Sequence, residues 1–164
     1  MAGVALVLVA FVAMEAVSYL THRFVMHGFG IGLHRSHHQV RDGRFELNDL
    51  YPMMFSSVAI SAFAAGTFLP DRQPLVLVGM GITLYGVAYL FMHEIYIHRR
   101  LAVVPGRYRL LELLKRCHRV HHLYGGEPYG MLFPYVPRAL REKAAATDRD
   151  PFAPPPGRPA PARA

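Results

Sequence analysis

The sequence predicts an all-α membrane protein, a polytopic helical bundle with three or four spans. Of its 164 residues, 52% are hydrophobic and only 18% are charged, which is below the roughly 25% typical of soluble domains. Three apolar runs are each long enough to cross a bilayer, which takes about 20 residues. This composition argues against a disordered acidic or basic chain.

The first predicted span covers residues 2–21 and carries one charge, Glu15. A cleaved signal peptide is the alternative for an apolar run at this position. No basic residue precedes the run, and it continues into His22 without a convincing cleavage site. We therefore expect a retained membrane helix.

The second and third spans, residues 50–69 and 74–92, contain no charged residue. A short polar turn with proline at both ends separates them, so the pair is predicted to form a helical hairpin. The alternative is a pair of helices in a soluble bundle, which would show a polar stripe. Residues 58–68 and 75–87 show almost none.

The basic residues predict how the chain is oriented in the membrane. Of 18 Lys and Arg residues, Arg72 alone lies in the hairpin turn, and the other 17 fall on the opposite face. The positive-inside rule makes that face cytoplasmic and places the N-terminus outside. The net charge of +7 is therefore attributed to membrane topology, and no nucleic-acid partner is expected.

The last third of the chain is less apolar. Residues 108–120 are predicted to form a helix that lies along the cytoplasmic interface, with basic side chains among lipid headgroups. Residues 129–136 are apolar but too short to span, so an interfacial or re-entrant segment is favoured over a fourth crossing. The composition divides the chain into a membrane domain, residues 1–143, and a disordered tail rich in Pro, Ala and Arg, residues 144–164.

The histidines form a repeated pattern, H-x4-H followed by H-x2-H-H. The ten positions are His22, His27, His34, His37, His38, His93, His98, His118, His121 and His122. Each half of the pattern begins where a membrane span ends. Two spans separate the halves, and an even number of crossings returns the chain to the same face. Both halves are therefore predicted to lie at the cytoplasmic side.

The spacing adds geometric expectations. In H-x2-H-H the three imidazoles share one face of an α-helix. In H-x4-H the two side chains lie about 140° apart around a regular helix, so they cannot both reach one metal ion from a straight helix. Either each member of a pair serves a different ion, or the helix is broken between them. Gly28 and Gly30 predict a break beside the first pair. For the second pair, the sequence does not decide between the two alternatives.

Ten histidines in this pattern indicate metal binding, although a single histidine is more often a packed side chain. Two five- or six-coordinate ions would use all ten imidazoles, whereas one ion would not. The single cysteine, Cys117, is more readily explained as a buried thiol than as a ligand. Two haems would need only four axial histidines, and a metal transporter would place polar ligands inside its spans. Non-haem iron that activates O2 is therefore favoured.

The pattern resembles the integral-membrane fatty-acid hydroxylase and sterol desaturase superfamily, and within it the carotenoid-hydroxylating branch. The resemblance runs from about residue 14 to residue 137. It rests on the segments MHGFG (26–30), HRSHH (34–38), FELNDLY (45–51), residues 93–98 and HRVHH (118–122). The sequence departs from the expected pattern at Glu94, where an aspartate is expected. The charge is kept there, with a longer side chain.

The resemblance implies an O2-dependent di-iron monooxygenase that hydroxylates the β-ionone rings of β-carotene at position 3, giving zeaxanthin through cryptoxanthin. It implies that the ten histidines bind two non-haem iron ions, with no separate acid or base. It also implies a carotenoid substrate within membrane lipid, an external electron donor such as a ferredoxin, and a bacterial plasma membrane. The alternatives are a lipid or sterol hydroxylase or desaturase of the same superfamily, and a membrane metal-binding or transport protein.

Carboxylates near the histidines are expected to balance the charge of two such ions. Glu15, Asp49 and Glu94 are the candidates, with a helix-pairing role as the alternative for Glu15 and a helix cap for Asp49. Glu46 is expected to be solvated. The glycines of the spans, Gly66, Gly79, Gly81 and Gly86, are expected to permit close helix contact more than to leave room for a polyene.

Overall fold

The computed structural model describes residues 1–39, 45–101 and 104–153, and over these ranges the chain is helical and contains no β-strand. The α-helices are α1 (Ala2–Leu20), α2 (Ile31–His34), α3 (Leu50–Phe68), α4 (Pro74–Leu90), α5 (Arg109–Tyr124) and α6 (Arg138–Ala145). Two π-helical stretches, Thr21–Phe29 and Phe91–Ile97, continue α1 and α4 without interruption. Short 3-10 turns, Arg35–His38 and Leu47–Asp49, lie between α2 and α3.

Three helical stretches are long and apolar enough to cross a membrane, and they confirm the three predicted spans. They are Ala2–Phe29, Leu47–Phe68 and Pro74–Ile97. Their outer surfaces carry exposed apolar side chains such as Val4 and Phe68, as expected of helices that face lipid. Residues 129–136, where a fourth crossing was the alternative, form no helix.

Helix α4 lies between α1 and α3 and contacts both. Glycines bring the backbones together: a Cβ on Gly81 would lie 2.5 Å from the Cβ of Ala10 in α1. A Cβ on Gly66 would lie 2.7 Å from Val76 N, and one on Gly79 would lie 3.3 Å from Ala59 O, which confirms the predicted packing role for these three glycines. Gly86 differs, because a Cβ there would have no neighbour within 4 Å.

The helix directions place the histidine-bearing ends together. Gly3 at the start of α1 lies beside Leu77 at the start of α4, so these helices run parallel, whereas Gly66 near the end of α3 lies beside Val76. The N-terminus and the hairpin turn therefore share one end of the bundle. The π-helical continuations of α1 and α4 share the other end, as the even number of crossings predicts.

Helix α5 covers the end of the bundle that carries the continuations of α1 and α4. Leu114 of α5 packs in a buried cluster with Met92, Ile97 and Met131, which joins α5 to the continuation of α4. The helix ends at Gly125, whose φ of 67° is the left-handed conformation that commonly terminates helices. α5 begins one residue after the start of the predicted interfacial helix and extends four residues beyond its predicted end.

The segment that follows α6 returns to α5. The Arg119 guanidinium donates hydrogen bonds to the carbonyl oxygens of Ala144, Thr147 and Arg149, at 3.1, 2.7 and 2.6 Å. Residues 144–153, which composition assigns to a disordered tail, therefore follow a defined path along α5. Residues 154–164 of that tail lie outside the described residues, and the division into two domains stays a prediction.

Candidate metal centre

The ten histidines converge on two adjacent clusters. We define the first cluster as His22, His27, His34, His38 and His121, and the second cluster as His37, His93, His98 and His118. Within each cluster, one ring nitrogen per residue lies within 4.8 Å of the others. His122 adjoins the second cluster, since its Nε2 lies 2.9 Å from Nε2 of His118. The two halves of the sequence pattern therefore meet at one end of the bundle.

Both H-x4-H pairs stay together because the helix widens where they occur. In the continuation of α4, the His98 amide donates to the His93 carbonyl, a bond between residues i and i+5 instead of i and i+4. A turn that closes after five residues brings positions i and i+5 nearly into line. The ring centroids are 4.6 Å apart for His93 and His98 and 5.1 Å apart for His22 and His27.

This geometry differs from both sequence-based alternatives for the H-x4-H pairs. Each pair serves a single cluster, and the helix between its members is widened and not broken. The predicted break does occur at Gly28, whose φ of −102° and ψ of −125° are non-helical, but it follows the first pair and redirects the chain toward α2. The chain offers no comparable glycine at the second pair, where the π-helical turn alone aligns the two rings.

The H-x2-H-H triplets do not serve one cluster each, a distribution that the sequence left open. His34 and His38 contribute to the first cluster, while His37 between them contributes to the second. On α5, His118 belongs to the second cluster and His121 to the first. Three residues along an α-helix fall about 60° short of a full turn, so the two side chains point in different directions. Each triplet thus links the two clusters.

In the first cluster, imidazole Nδ1 atoms donate to uncharged oxygens. The bonds are His22 to the Tyr129 carbonyl at 2.9 Å, His34 to Asn48 Oδ1 at 2.7 Å, and His121 to the Gly126 carbonyl at 2.6 Å. A carbonyl oxygen only accepts, so the proton of each neutral ring lies on Nδ1. The Nε2 atom then carries a free lone pair directed into the cluster.

In the second cluster, the corresponding acceptors are carboxylates. His37 Nδ1 donates to Glu46 Oε1 at 2.8 Å, and His93 Nδ1 donates to Glu94 Oε1 at 2.7 Å. The expectation that Glu46 is solvated is wrong, because its side chain is only 8% exposed. Burial raises the pKa of Glu46, and the Arg100 guanidinium acts in the opposite direction.

The three predicted outer carboxylates have different contacts. Glu94 accepts a hydrogen bond from His93, and its role beside a metal ion stays a prediction. Asp49 makes no side-chain cap bond to α3; it accepts from the Glu46 backbone amide in the capping box of the Leu47–Asp49 turn and also pairs with Arg100.

Glu15 differs from its prediction, since none of its hydrogen bonds in the described chain goes to a histidine. Its carboxylate accepts from the Tyr85 hydroxyl at 2.7 Å and from the backbone amides of Met131, Leu132 and Phe133. A carboxylate inside a membrane span needs such donors, and the 131–133 segment supplies them. Glu15 thereby fixes the segment that begins with Tyr129, whose carbonyl orients His22.

Burial keeps the imidazoles outside the spans neutral. It lowers the pKa of His34 to about 3 and that of His38 to about 4. Burial also lowers the pKa of His37, His98, His118, His121 and His122 well below the usual value, with neighbouring histidines adding to the effect. Neutral imidazole is the form that binds metal ions.

The donor set fits a metal ion. Nε2 of His22 and Nε2 of His34 face each other at 3.2 Å, although both rings carry their proton on Nδ1. Two lone pairs at this distance repel unless a cation lies between them. Nitrogens bound at about 2.1 Å and at right angles around one ion are ~3.0 Å apart. In the second cluster, the buried Nε2 of His37 has no hydrogen-bond partner among the described residues, which also fits a ligand atom.

Aromatic rings border each cluster on a different side. Tyr129 lies against the first cluster, with its ring centroid 5.4 Å from those of His22 and His121. Phe152 lies against the second cluster, 5.1 Å from the rings of His98 and His122. Phe152 belongs to the predicted tail, so composition gave no reason to place it at the site. Cys117 packs beside Val120 and Val136 and belongs to neither cluster.

An apolar cavity of about 520 Å³ lies among the membrane-spanning helices. Phe63 and Ile82 line it midway along α3 and α4, and the open space at Gly86 contributes to it. Its inner end is lined by Asn48 and Glu94, the acceptors of His34 and His93. The cavity therefore ends at side chains that bind one histidine of each cluster.

Comparison with known proteins defines the class of this membrane protein. Residues 7–141 match the family model described as fatty acid hydroxylase, and the chain belongs to that family. No solved structure matches the chain.

Curated relatives narrow the comparison further. The chain is 38% identical over 133 residues to a protein named beta-carotene hydroxylase from Pseudescherichia vulneris, covering 80% of this chain and 74% of the relative. It is 35% identical over 147 residues to the protein of the same name from Pantoea ananas, covering 88% and 82%. It is also 33% identical over 146 residues to beta-carotene 3-hydroxylase 1, chloroplastic, from Arabidopsis thaliana, covering 86% of this chain and 46% of that longer protein.

Proposed function

We propose that this protein is a β-carotene 3-hydroxylase, an O2-dependent non-haem di-iron monooxygenase of the membrane. The observation that carries the proposal is the pair of histidine clusters beside an apolar cavity, whose inner end is lined by Asn48 and Glu94, the acceptors of one histidine from each cluster. The overall reaction inserts one oxygen atom of O2 into a ring C–H bond and reduces the other to water with two electrons and two protons. β-Carotene would yield cryptoxanthin and then zeaxanthin.

The ten histidines would hold the two irons. The first cluster would hold one ion, and the second cluster together with His122 would hold the other. Bound iron would supply the reductive activation of O2 that insertion into an unactivated C–H bond requires. The protein fixes the ligands through Nδ1 hydrogen bonds, so that each Nε2 lone pair points inward.

The cavity would position the substrate. A carotenoid dissolves in the hydrocarbon core, and the cavity lies between helices that span it. Its apolar lining suits a polyene, and its inner end brings a ring beside Asn48 and Glu94. Tyr129 and Phe152 cover the clusters on other sides, which would limit the access of water to the reacting atoms.

The orientation and the electron supply complete the proposal. The histidine end would face the cytoplasm of a bacterial cell, with the N-terminus outside, because 17 of 18 Lys and Arg residues fall on that side. Arg109 and Arg116 are exposed on α5 there. These charges would steer an acidic electron donor such as a ferredoxin.

Expression in bacterial cells that accumulate β-carotene tests the proposal directly. Chromatography of the pigments should show cryptoxanthin and zeaxanthin in cells that make the wild-type protein, and β-carotene alone in cells that make His37→Ala. Purified wild-type protein from the same cells should contain iron. Unchanged pigment with folded, iron-loaded protein would contradict the carotenoid assignment, and oxidation of added lipid or sterol would identify the superfamily alternative. Metal flux without dependence on O2 would instead identify a transporter.

A further inference from the structure

Arg100 connects the carboxylates that orient the second cluster. Its Nε donates to Glu94 Oε2 at 2.6 Å, its Nη2 donates to Asp49 Oδ1 at 2.5 Å, and its Nη1 lies 3.3 Å from Glu46 Oε1. The side chain is largely buried, with 17% exposed. The preceding residue, Arg99, has a φ of 55°, which turns the chain so that Arg100 returns toward Glu94.

Two short chains of contacts run from this guanidinium to imidazoles of the second cluster. One passes through Glu94 to His93, using one carboxylate oxygen for each partner. The other passes through Glu46 to His37, both meeting at Oε1. The planar guanidinium has donors in fixed directions, so it sets the position of both carboxylates at once.

Without this cation the three carboxylates would repel one another. Oxygen atoms of Glu46, Asp49 and Glu94 lie within 4.8 Å of each other, two of them largely buried. Like charges at such distances separate or turn toward water when no cation lies between them. His37 and His93 would then lose the acceptors that hold their Nδ1 atoms.

Among the described residues, no guanidinium joins the acceptors of the first cluster. Its acceptors are the Tyr129 and Gly126 carbonyls and the Asn48 amide, which repel neither one another nor a neighbouring charge. The Arg23 guanidinium lies 5.9 Å from the centre of the Tyr129 ring and pairs with Glu127 at 3.2 Å, with 45% of its side chain exposed. Neither residue of that pair accepts a hydrogen bond from a histidine in the described chain.

We propose that Arg100 is a positioning residue that holds Glu46 and Glu94 against His37 and His93, so that metal binding at the second cluster depends on it and metal binding at the first does not. The inference rests on the proposed di-iron centre. It concerns the retention of iron, so it is measured without an activity assay.

The test compares Arg100→Gln with wild type and with Arg23→Gln, a matched loss of one guanidinium near the first cluster. The full chain is purified in detergent, dialysed against increasing chelator, and its iron per chain is measured by elemental analysis. Arg23→Gln should lose its irons at about the same chelator concentrations as wild type. Arg100→Gln should release one iron at about 10- to 100-fold lower chelator, the range typical when an outer partner of a ligand is lost, and keep the other.

Four further changes identify which iron is lost and guard against misfolding. In the Arg100→Gln background, His37→Ala should remove no additional iron, whereas His121→Ala should remove the remaining one. Asp49→Asn touches Arg100 but no histidine, and it should shift the release of one iron in the same direction by a smaller factor. Arg100→Lys should recover part of the retention because it restores the charge without the planar geometry.

The outcomes separate the two proposals. Release of both irons at once from Arg100→Gln and Asp49→Asn, or release indistinguishable from Arg23→Gln, would overturn the positioning role while leaving the di-iron proposal intact. A wild-type protein that binds no iron under any loading condition would overturn the di-iron proposal itself.

Discussion

The two clusters both consist of histidines, but the imidazoles of the two clusters donate to different kinds of oxygen. Behind the first cluster are backbone carbonyls and an asparagine amide, and behind the second are two glutamates joined by Arg100. An imidazole that donates to a carboxylate is a stronger ligand than one that donates to a neutral oxygen. A symmetric sequence repeat therefore gives two histidine clusters whose hydrogen-bond acceptors differ in charge.

The difference extends to the elements that supply the partners. The first cluster is completed by residues 126–129, which follow α5 directly and are held by Glu15 in the first span through the neighbouring 131–133 segment. The second is completed by the turn after α4 and by Phe152, which follows α6. Four predictions test this difference between the two clusters.

The largest effect is expected from removing one ligand of each cluster. His37→Ala and His121→Ala should each abolish hydroxylated pigment and lower bound iron, since the proposed reaction needs both ions. Pigment chromatography and elemental analysis measure the two outcomes. Full turnover by either variant would show that its histidine is not an essential ligand.

The next effect is expected from exchanging the charge of the acceptors. Glu46→Gln should weaken iron retention at the second cluster by about 10- to 100-fold, and Asn48→Asp should strengthen retention at the first. Chelator titration of the purified variants measures both. Glu142→Gln, at an exposed glutamate paired with Arg138, is the control and should change nothing. If both acceptor variants released iron like wild type, the charge behind the ligands would be irrelevant.

An intermediate effect is expected from filling the cavity, whose inner end is lined by one acceptor from each cluster. Gly86→Leu places a side chain in open space that lines the cavity, so product should fall about tenfold because the substrate ring is displaced. Iron content should stay that of wild type. Val12→Leu, on an exposed apolar surface of α1, controls for added volume. Unchanged product from Gly86→Leu would place the substrate elsewhere.

The smallest effect is expected from removing the ring beside the second cluster. Phe152→Ala should speed the chelator-driven loss of one iron by a few fold, because it opens one flank of His98 and His122 to water. Stopped-flow release of iron measures the rate. Phe133→Ala, at an exposed phenylalanine, is the control. Equal acceleration of both irons would mean that Phe152 does not act on one cluster alone.

The sequence predicted much of the fold for two reasons. Hydropathy is a local property of the sequence, and the side of the membrane on which a segment lies follows from counting the spans. The predicted spans end within two residues of the α-helical parts of α1, α3 and α4. The placement of both halves of the histidine pattern at one end of the bundle followed from counting crossings, whereas the orientation of the bundle in the membrane stays a prediction. Glycine packing at Gly81 was likewise predictable, because small residues permit close contact between helices.

The finer geometry was not predictable for physical reasons. Periodicity arguments assume 3.6 residues per turn, so the five-residue turn that joins His93 to His98 leaves no mark in the sequence. Arg100 and Asp49 are 51 positions apart, and nothing local to either predicts their ion pair. Glu46 has polar neighbours in sequence and was therefore assigned to solvent, yet folding buries it against His37.

The clamp that Arg119 forms on the segment after α6 has a practical consequence for handling the protein. A truncation at residue 143, the boundary that composition alone suggests, would delete all three carbonyls that Arg119 binds and also Phe152. The shortened protein would keep every histidine and every membrane helix while one flank of its second cluster stood open. Low iron in such a preparation would reflect the choice of end point and would say nothing about the ligands themselves.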